Sequence, residues 1–184
     1  MIRSGSLTWT IPNLVCADDV VGYYIYYSPQ LGQTLQIADT ILDAAITSYD
    51  QSLTGTGSVA GCYAITAIDT FFNESPYSDI LCVDNCPVYE LPAVFSPGSD
   101  GYNDLFIPFP YMFIESIEIQ IFNRWGTQVF DTTDPDLLWD GTNKTSGKPC
   151  TSGVYYYVCQ VNEYRLTGIE SYILNGYIHL IREE

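Results

Sequence analysis

Apolar and polar residues alternate over short segments of this chain, most clearly in residues 116–122 (SIEIQIF). In an extended strand, Ile117, Ile119 and Ile121 lie on one face, with Glu118 and Gln120 on the other. This period of two predicts a strand with one buried face. Comparable runs between Gly, Pro, Asn and Asp residues predict further strands at LTWTI, GYYIYYS, TLQIAD, TSYDQSL, CYAITAID, DILCVD, LPAVF, DLFIPF, TQVFD, GVYYYVCQV and GYIHLIR.

The spacing of these segments predicts the fold class and the division into domains. Short strands with turn residues between them are typical of antiparallel β-sandwiches. Pro87 and Pro92 interrupt the pattern in the middle of the chain, in CVDNCPVYELP. We therefore expect an all-β protein of two tandem antiparallel β-sandwich domains, residues 1–86 and 87–184.

The charge balance argues against some classes of partner. The chain has 184 residues, with 6 Lys and Arg against 22 Asp and Glu, and a formal net charge of −16. Nucleic-acid binding needs clustered cations, and an anionic membrane surface repels a chain of this kind. No segment approaches the ~20 apolar residues of a membrane-spanning helix, so we expect neither nucleic-acid binding nor direct membrane insertion.

The cysteines indicate an oxidising compartment. Six cysteines in a small chain favour disulfides, with a zinc site at CVDNC as the less favoured alternative. The N-terminus lacks the apolar core of a signal peptide, so we expect the C-terminal part of a longer secreted protein. A bridge between Cys150 and Cys159 requires the intervening chain to fold back, and this pairing stays open. The remaining cysteines are Cys16, Cys62, Cys82 and Cys86.

Catalytic motifs are missing from the sequence. It contains no His-Glu-x-x-His, no glycine-rich phosphate loop and no Gly-x-Ser-x-Gly, and its one histidine, His179, has no identifiable nucleophile partner. We expect no enzymatic activity.

The first half resembles a fibronectin type III domain. Trp9 matches the core tryptophan of that family's second strand, and CYAITAIDTFFNESPYSD resembles the penultimate strand and its loop. The resemblance implies that Tyr63 is a tyrosine-corner residue and that the first strand is truncated. It also implies a Cys62–Cys82 disulfide, because the last two strands of such a sandwich are antiparallel neighbours.

The second half resembles the gliding-motility-associated C-terminal domain, the type B sorting domain of the type IX secretion system. The resemblance rests on LPAVFSPGSDGYNDLF, IEIQIFNRWGTQVFD, LWDGTN, GVYYYV and GYIHLIREE in that order. It implies a C-terminal secretion signal of Bacteroidota proteins that cross the outer membrane to the cell surface or exterior. The implied partners are the outer-membrane translocon and a type B-specific partner barrel.

One segment departs from the family pattern. The family usually reads Phe-Thr-Pro-Asn-Gly-Asp-Gly-x-Asn-Asp, whereas this chain has Ser96 and Gly98 at the Thr and Asn positions. Oxygens of Asp100, Asn103 and Asp104 suit a calcium ion, and the favoured alternative is a turn in which these side chains accept backbone hydrogen bonds. In either case we expect the three residues to form a recognition surface.

Two further residues are candidates for partner recognition. Arg124 and Trp125 lie at the tip of a predicted hairpin, and both residue types dominate interface hot spots. The alternative is that Trp125 packs onto the core and Arg124 pairs with a nearby acid. At the level of the whole chain, the alternative to a secretion signal is an extracellular adhesive module that binds calcium or glycans.

Overall fold

The computed structural model describes residues 5–11, 19–51, 58–98 and 100–182. The regular elements in these ranges are β-strands, which confirms the all-β prediction, and the described residues contain no helix that could span a membrane. The strands are β1 (Gly5–Thr8), β2 (Val20–Ser28), β3 (Gln36–Ile41), β4 (Ser48–Gln51), β5 (Gly61–Asp69), β6 (Leu81–Val83), β7 (Val88–Tyr89), β8 (Val94–Phe95), β9 (Tyr111–Met112), β10 (Ile114–Phe122), β11 (Gln128–Thr132), β12 (Gly153–Arg165) and β13 (Gly168–Leu180).

The chain forms two compact units. The first comprises Met1–Asn85 with Arg165–Gly168, and the second comprises Cys86–Tyr164 with Ile169–Glu184. The predicted domain boundary, between residues 86 and 87, lies one residue from the division at Asn85. The assignment of the first domain as a truncated fibronectin type III module stays a prediction. Cys16 lies outside the described residues.

The first unit has two antiparallel sheets, one with the strand order β3-β2-β5-β6 and one formed by β1 and β4. Cys62 on β5 lies opposite Cys82 on β6, and the two residues form a disulfide as predicted. The hydroxyl of Tyr63 donates to the carbonyl of Val59 at 3.5 Å. A hydrogen bond to the backbone a few residues upstream is the geometry of the expected tyrosine corner.

The second unit has a five-stranded sheet with the order β11-β10-β12-β13-β8 and a two-stranded sheet formed by β7 and β9. In β10, Ile117, Ile119 and Ile121 are buried, as the period of two predicts. The edge strand β8 pairs in parallel with the end of β13, where His179 is opposite Val94 and Leu180 is opposite Phe95. The last long strand of the chain therefore completes the sheet.

Trp139 lies at the centre of the core of the second unit. Its side chain is 0% exposed, and its ring lies 5.2 Å from the ring of Phe95 and 5.7 Å from that of Tyr155, between centroids. The indole N–H donates to the carbonyl of Thr142 at 2.9 Å, so the polar end of this buried residue has a partner. The backbone carbonyl of Trp139 accepts the N–H of Phe106 at 2.8 Å.

One strand prediction is wrong. The segment DLFIPF was expected to form a strand, but in the structure only Phe106 takes part in sheet pairing, in an isolated bridge to Trp139. Pro108 and Pro110 lack the N–H that a ladder needs, so the segment passes over the core without joining a sheet.

Cys150 and Cys159 are both buried, and neither forms a disulfide in the structure. Burial raises the pKa of the Cys159 thiol to about 12 and also raises the pKa of Cys150. Both thiols are therefore protonated at neutral pH and behave as core side chains.

We expect Trp139→Ala to destabilise the second unit by about 3–5 kcal/mol, because it removes the ring that joins the aromatic core. Trp139→Phe keeps a ring and loses the hydrogen bond to Thr142, so its cost should be smaller. Guanidinium unfolding followed by tryptophan and tyrosine fluorescence measures both variants. Equal stabilities of Trp139→Ala and the unaltered protein would contradict the central position of this residue.

Candidate functional site

The predicted recognition loop, residues 96–104, is built around the carboxylate of Asp104. Its two oxygens accept the backbone N–H groups of Gly98 and Gly101, each at 2.9 Å. The carboxylate of Asp100 accepts the N–H of Tyr102 at 2.8 Å. Both acids thus fix the loop backbone, in the manner of the Asx turns expected for this segment.

Backbone angles in the same loop fit its sequence. Gly101 and Asn103 have φ values of 86° and 52°, in the left-handed region that Gly and Asn tolerate best. The carbonyl of Asn103 accepts the N–H of Ser96 at 3.0 Å and joins the two ends of the loop. Ser99 lies outside the described residues. The loop therefore has a defined shape set by local hydrogen bonds.

Arg182, two residues beyond β13, connects this loop to two other segments. Its guanidinium donates to the carbonyl of Pro97 at 3.2 Å, to that of Gly141 at 3.2 Å and to that of Cys150 at 3.0 Å. One cation thus joins the 96–104 loop to the paired residues Gly141 and Cys150, and hydrogen bonds from a charged donor are stronger than neutral ones.

Gly141 is required for this arrangement. Its φ is 75°, and a Cβ atom there would lie 2.9 Å from the guanidinium of Arg182 and 2.9 Å from the ring of Pro97. A side chain at position 141 would push Arg182 away from Pro97. The missing side chain at Gly141 thus provides the space into which Arg182 fits.

An apolar groove runs beside the loop. It has a volume of about 610 Å³, and Phe109 on its rim is 84% exposed. Val94, on the groove, belongs to edge strand β8. Exposed apolar side chains in a concave surface are typical of a site for another protein. The lining residues are Pro92, Val94, Phe95, Gly101, Asn103, Asp104, Leu105, Ile107 and Phe109.

Calcium binding by this loop stays a prediction. Asp100, Asn103 and Asp104 lie in one loop, but the carboxylate oxygens already accept backbone N–H groups. Among the described residues, no group of three or more His, Cys, Asp or Glu side chains is arranged to hold a metal ion. The geometry accounts for the acidic residues without an ion.

Arg124 and Trp125 lie on a different loop, between β10 and β11. Trp125 is 77% exposed, so it is not a core residue, and the guanidinium of Arg124 lies 5.2 Å from the centre of its ring. The side chain of Asn123 accepts the N–H groups of Trp125 and Thr127 at 3.0 and 2.9 Å. Gly126, with a φ of 77°, closes the hairpin as predicted.

Residues 89–180 match the model of the CHU_C type IX secretion signal domain, and this match covers half of the chain. The chain belongs to the type IX secretion signal domain family. Its second unit is therefore a C-terminal sorting signal that the type IX secretion machinery recognises. The signal directs export across the outer membrane to the cell surface or the extracellular space. The family is defined by a signal and not by a reaction.

Similarity to solved structures is weak. The chain aligns with the chicken CNTN1 FN1–FN3 domains (10% identity, TM-score 0.36), covering 96% of this chain and 63% of that one. It aligns with an α-L-rhamnosidase from Dictyoglumus thermophilum at 12% identity and a TM-score of 0.36, covering 96% of this chain and 28% of that one. It also aligns with dimeric latent PorU from Porphyromonas gingivalis at 14% identity and a TM-score of 0.28, covering 99% of this chain and 18% of that one. The chain thus spans less than two thirds of each structure's length. No curated protein matches the sequence.

The sequence analysis missed several residues that shape the site. Leu105, Ile107 and Phe109 were interpreted as a strand, and their exposure on the groove was not expected. Arg182 carried no signal at all, because its partners are up to 85 residues away in the chain. An arginine near the end of a terminal strand is otherwise typical of a solvated residue.

We expect Asp104→Ala to loosen the loop, since two N–H groups lose their acceptor. The cost should be about 1 kcal/mol, because the loop is partly solvated. Hydrogen exchange of the Gly98 and Gly101 amides should accelerate, while Asp100→Ala should affect the Tyr102 amide instead. Unchanged exchange at Gly98 and Gly101 in Asp104→Ala would show that the carboxylate does not hold the loop.

Proposed function

We propose that the second unit is recognised by direct protein–protein contact, and that the groove beside the 96–104 loop is the contact surface. The observation that carries this proposal is the exposed apolar rim, formed by Leu105, Ile107 and Phe109, next to a loop fixed by Asp104 and Arg182. A preorganised loop lowers the entropic cost of binding, and exposed apolar side chains supply the favourable burial.

The partners we infer are outer-membrane components of the type IX translocon, together with a partner barrel specific to type B signals. Edge strand β8 forms one wall of the groove, so an extended segment of the partner can align with it. The Arg124–Trp125 hairpin is a second contact in this proposal, because an exposed tryptophan next to an arginine is a good interface anchor. The unit has no catalytic role.

No observation in the described residues favours the alternative of an adhesive module that binds calcium or glycans. That alternative stays a prediction of the sequence. It differs from the proposal in one measurable respect, since an adhesin needs its ligand-binding surface and not a working translocon.

An export assay tests the proposal. Residues 1–184 are fused behind a periplasm-targeted fluorescent protein in a gliding Bacteroidota species, and fluorescence outside the cell is measured with and without a working translocon. We expect translocon-dependent export, an export loss of about tenfold or more in Ile107→Ser/Phe109→Ser, and a smaller loss in Trp125→Ser, because hot-spot truncations cost roughly 1–2 kcal/mol or more each.

The control is Ile173→Ser, which alters an exposed apolar residue of strand β13 away from the groove. It should be exported like the unaltered fusion. Normal export of the Ile107→Ser/Phe109→Ser variant would exclude the groove as the contact surface, and export without the translocon would refute recognition by this machinery.

A further inference from the structure

The first unit exposes two phenylalanines at the tip of one turn. Phe71 is 83% exposed and Phe72 is 64% exposed, in the turn that follows strand β5. Neither side chain contributes to the core of the unit. Adjacent large apolar residues that are mostly exposed form a patch, and such patches are typical of contact sites for another molecule.

The turn is held rigidly by Asp69. Its Oδ1 atom accepts the N–H groups of Phe71 and Asn73, both at 2.8 Å, and its Oδ2 atom accepts the side-chain amide of Asn73 at 2.7 Å. These bonds lower the pKa of the Asp69 carboxyl, so it is ionised at neutral pH. Backbone bonds from Phe72 to Asp69 and from Asp69 to Asn73 close the turn. The two rings are thus presented on a preorganised backbone.

Phe72 also has a strained backbone. Its φ is 62°, in the left-handed region that suits glycine and is an outlier for a bulky residue. The side chain is not buried, so packing within the unit does not explain why phenylalanine occupies this position. Backbone strain that core packing does not explain is typical of functional sites.

The charged residues around this turn indicate which kind of partner surface would be complementary to it. No Lys, Arg or His occurs between Arg3 and Arg124, whereas acidic residues flank the turn at Asp69 and Glu74. Another copy of this chain, with a net charge of −16, would repel it, and so would an anionic membrane. The complementary surface is an apolar pocket on a protein, bordered by Lys or Arg.

We propose that the Phe71–Phe72 turn inserts into an apolar, basic-bordered pocket of the type IX export machinery and acts as a second docking point. This inference rests on the proposed function of the second unit. Only residues 84–87 separate strand β6 of the first unit from strand β7 of the second, so the two proposed contacts belong to one continuous chain. A tethered second contact raises the overall affinity by about 10²–10⁴-fold even when it is weak alone.

The test uses the fluorescent fusion of residues 1–184 and the variant Phe71→Ser/Phe72→Gly. We expect export to fall about tenfold or more, as the second contact is lost. The melting temperature of the purified double variant should equal or exceed that of the unaltered chain, because Phe71 is exposed and glycine at position 72 relieves the positive φ. Loss of export would therefore not reflect unfolding. Leu42→Ser/Ile46→Ser, at two other exposed apolar residues of the unit, should be exported normally.

A matched pair at Thr70 tests the charge of the pocket. Thr70 is exposed next to Phe71. Thr70→Lys should reduce export because it places a cation against a basic border, whereas Thr70→Glu should leave export unchanged or increase it. Equal losses in both variants would contradict the basic border.

The outcomes separate this inference from the proposed function. If the unaltered fusion is exported and Phe71→Ser/Phe72→Gly is exported equally well, the docking turn is refuted while the sorting role stands. If the control Leu42→Ser/Ile46→Ser loses export to the same extent, the effect is not specific to the turn and the inference is again refuted. Absence of export for the unaltered fusion refutes the proposed function itself.

Discussion

The guanidinium of Arg182 is the interaction on which the shape of the candidate site depends. It donates to carbonyls from the 96–104 loop, from the turn at Gly141 and from the segment at Cys150. The backbone N–H of Cys150 donates to the carbonyl of Gly141 at 2.8 Å, so these two segments are already joined, and Arg182 adds the link from both of them to the 96–104 loop. A planar, permanently charged group is suited to bind several acceptors at once.

The position of Arg182 links the site to the completion of the fold. Strand β13 ends two residues before Arg182 and pairs with β8, which leads into the loop and forms one wall of the groove. Residues 94 and 180 are far apart in sequence, so the groove requires long-range pairing and not only local turn formation. A surface of this kind distinguishes a folded domain from an unfolded or incomplete chain. That property fits the proposed recognition of the folded domain by a protein partner.

Sequence patterns predicted the parts of this structure that depend on local periodicity. The alternation of Ile117, Ile119 and Ile121 identified β10, and the Asx residues at 100 and 104 identified a turn held by side-chain oxygens. The Cys62–Cys82 disulfide followed from the family resemblance. In each case the determining contacts are either close in sequence or common to many sandwiches.

The remaining features depend on contacts that no local pattern encodes. The first half of β13 (168–175) contains Glu170, Ser171 and Asn175 on exposed positions and shows too little alternation to read as a strand. Strands β7 and β9 have two residues each, so they are too short to show the alternation of apolar and polar residues that identifies a strand. The exposure of Phe71 and Phe109 also went unpredicted, since aromatic residues are normally assigned to a core.

Site-specific photo-crosslinking tests most directly whether the groove is the surface that the export machinery reads. A benzophenone amino acid replaces Phe109, on the groove, or Thr145, on an exposed loop that does not line it, in the periplasm-targeted fusion of residues 1–184. After irradiation of living cells, crosslinked proteins are identified by mass spectrometry. The account predicts crosslinks from position 109 to outer-membrane components of the type IX machinery and none from position 145. Export of both fusions with no such crosslink from position 109 would contradict it.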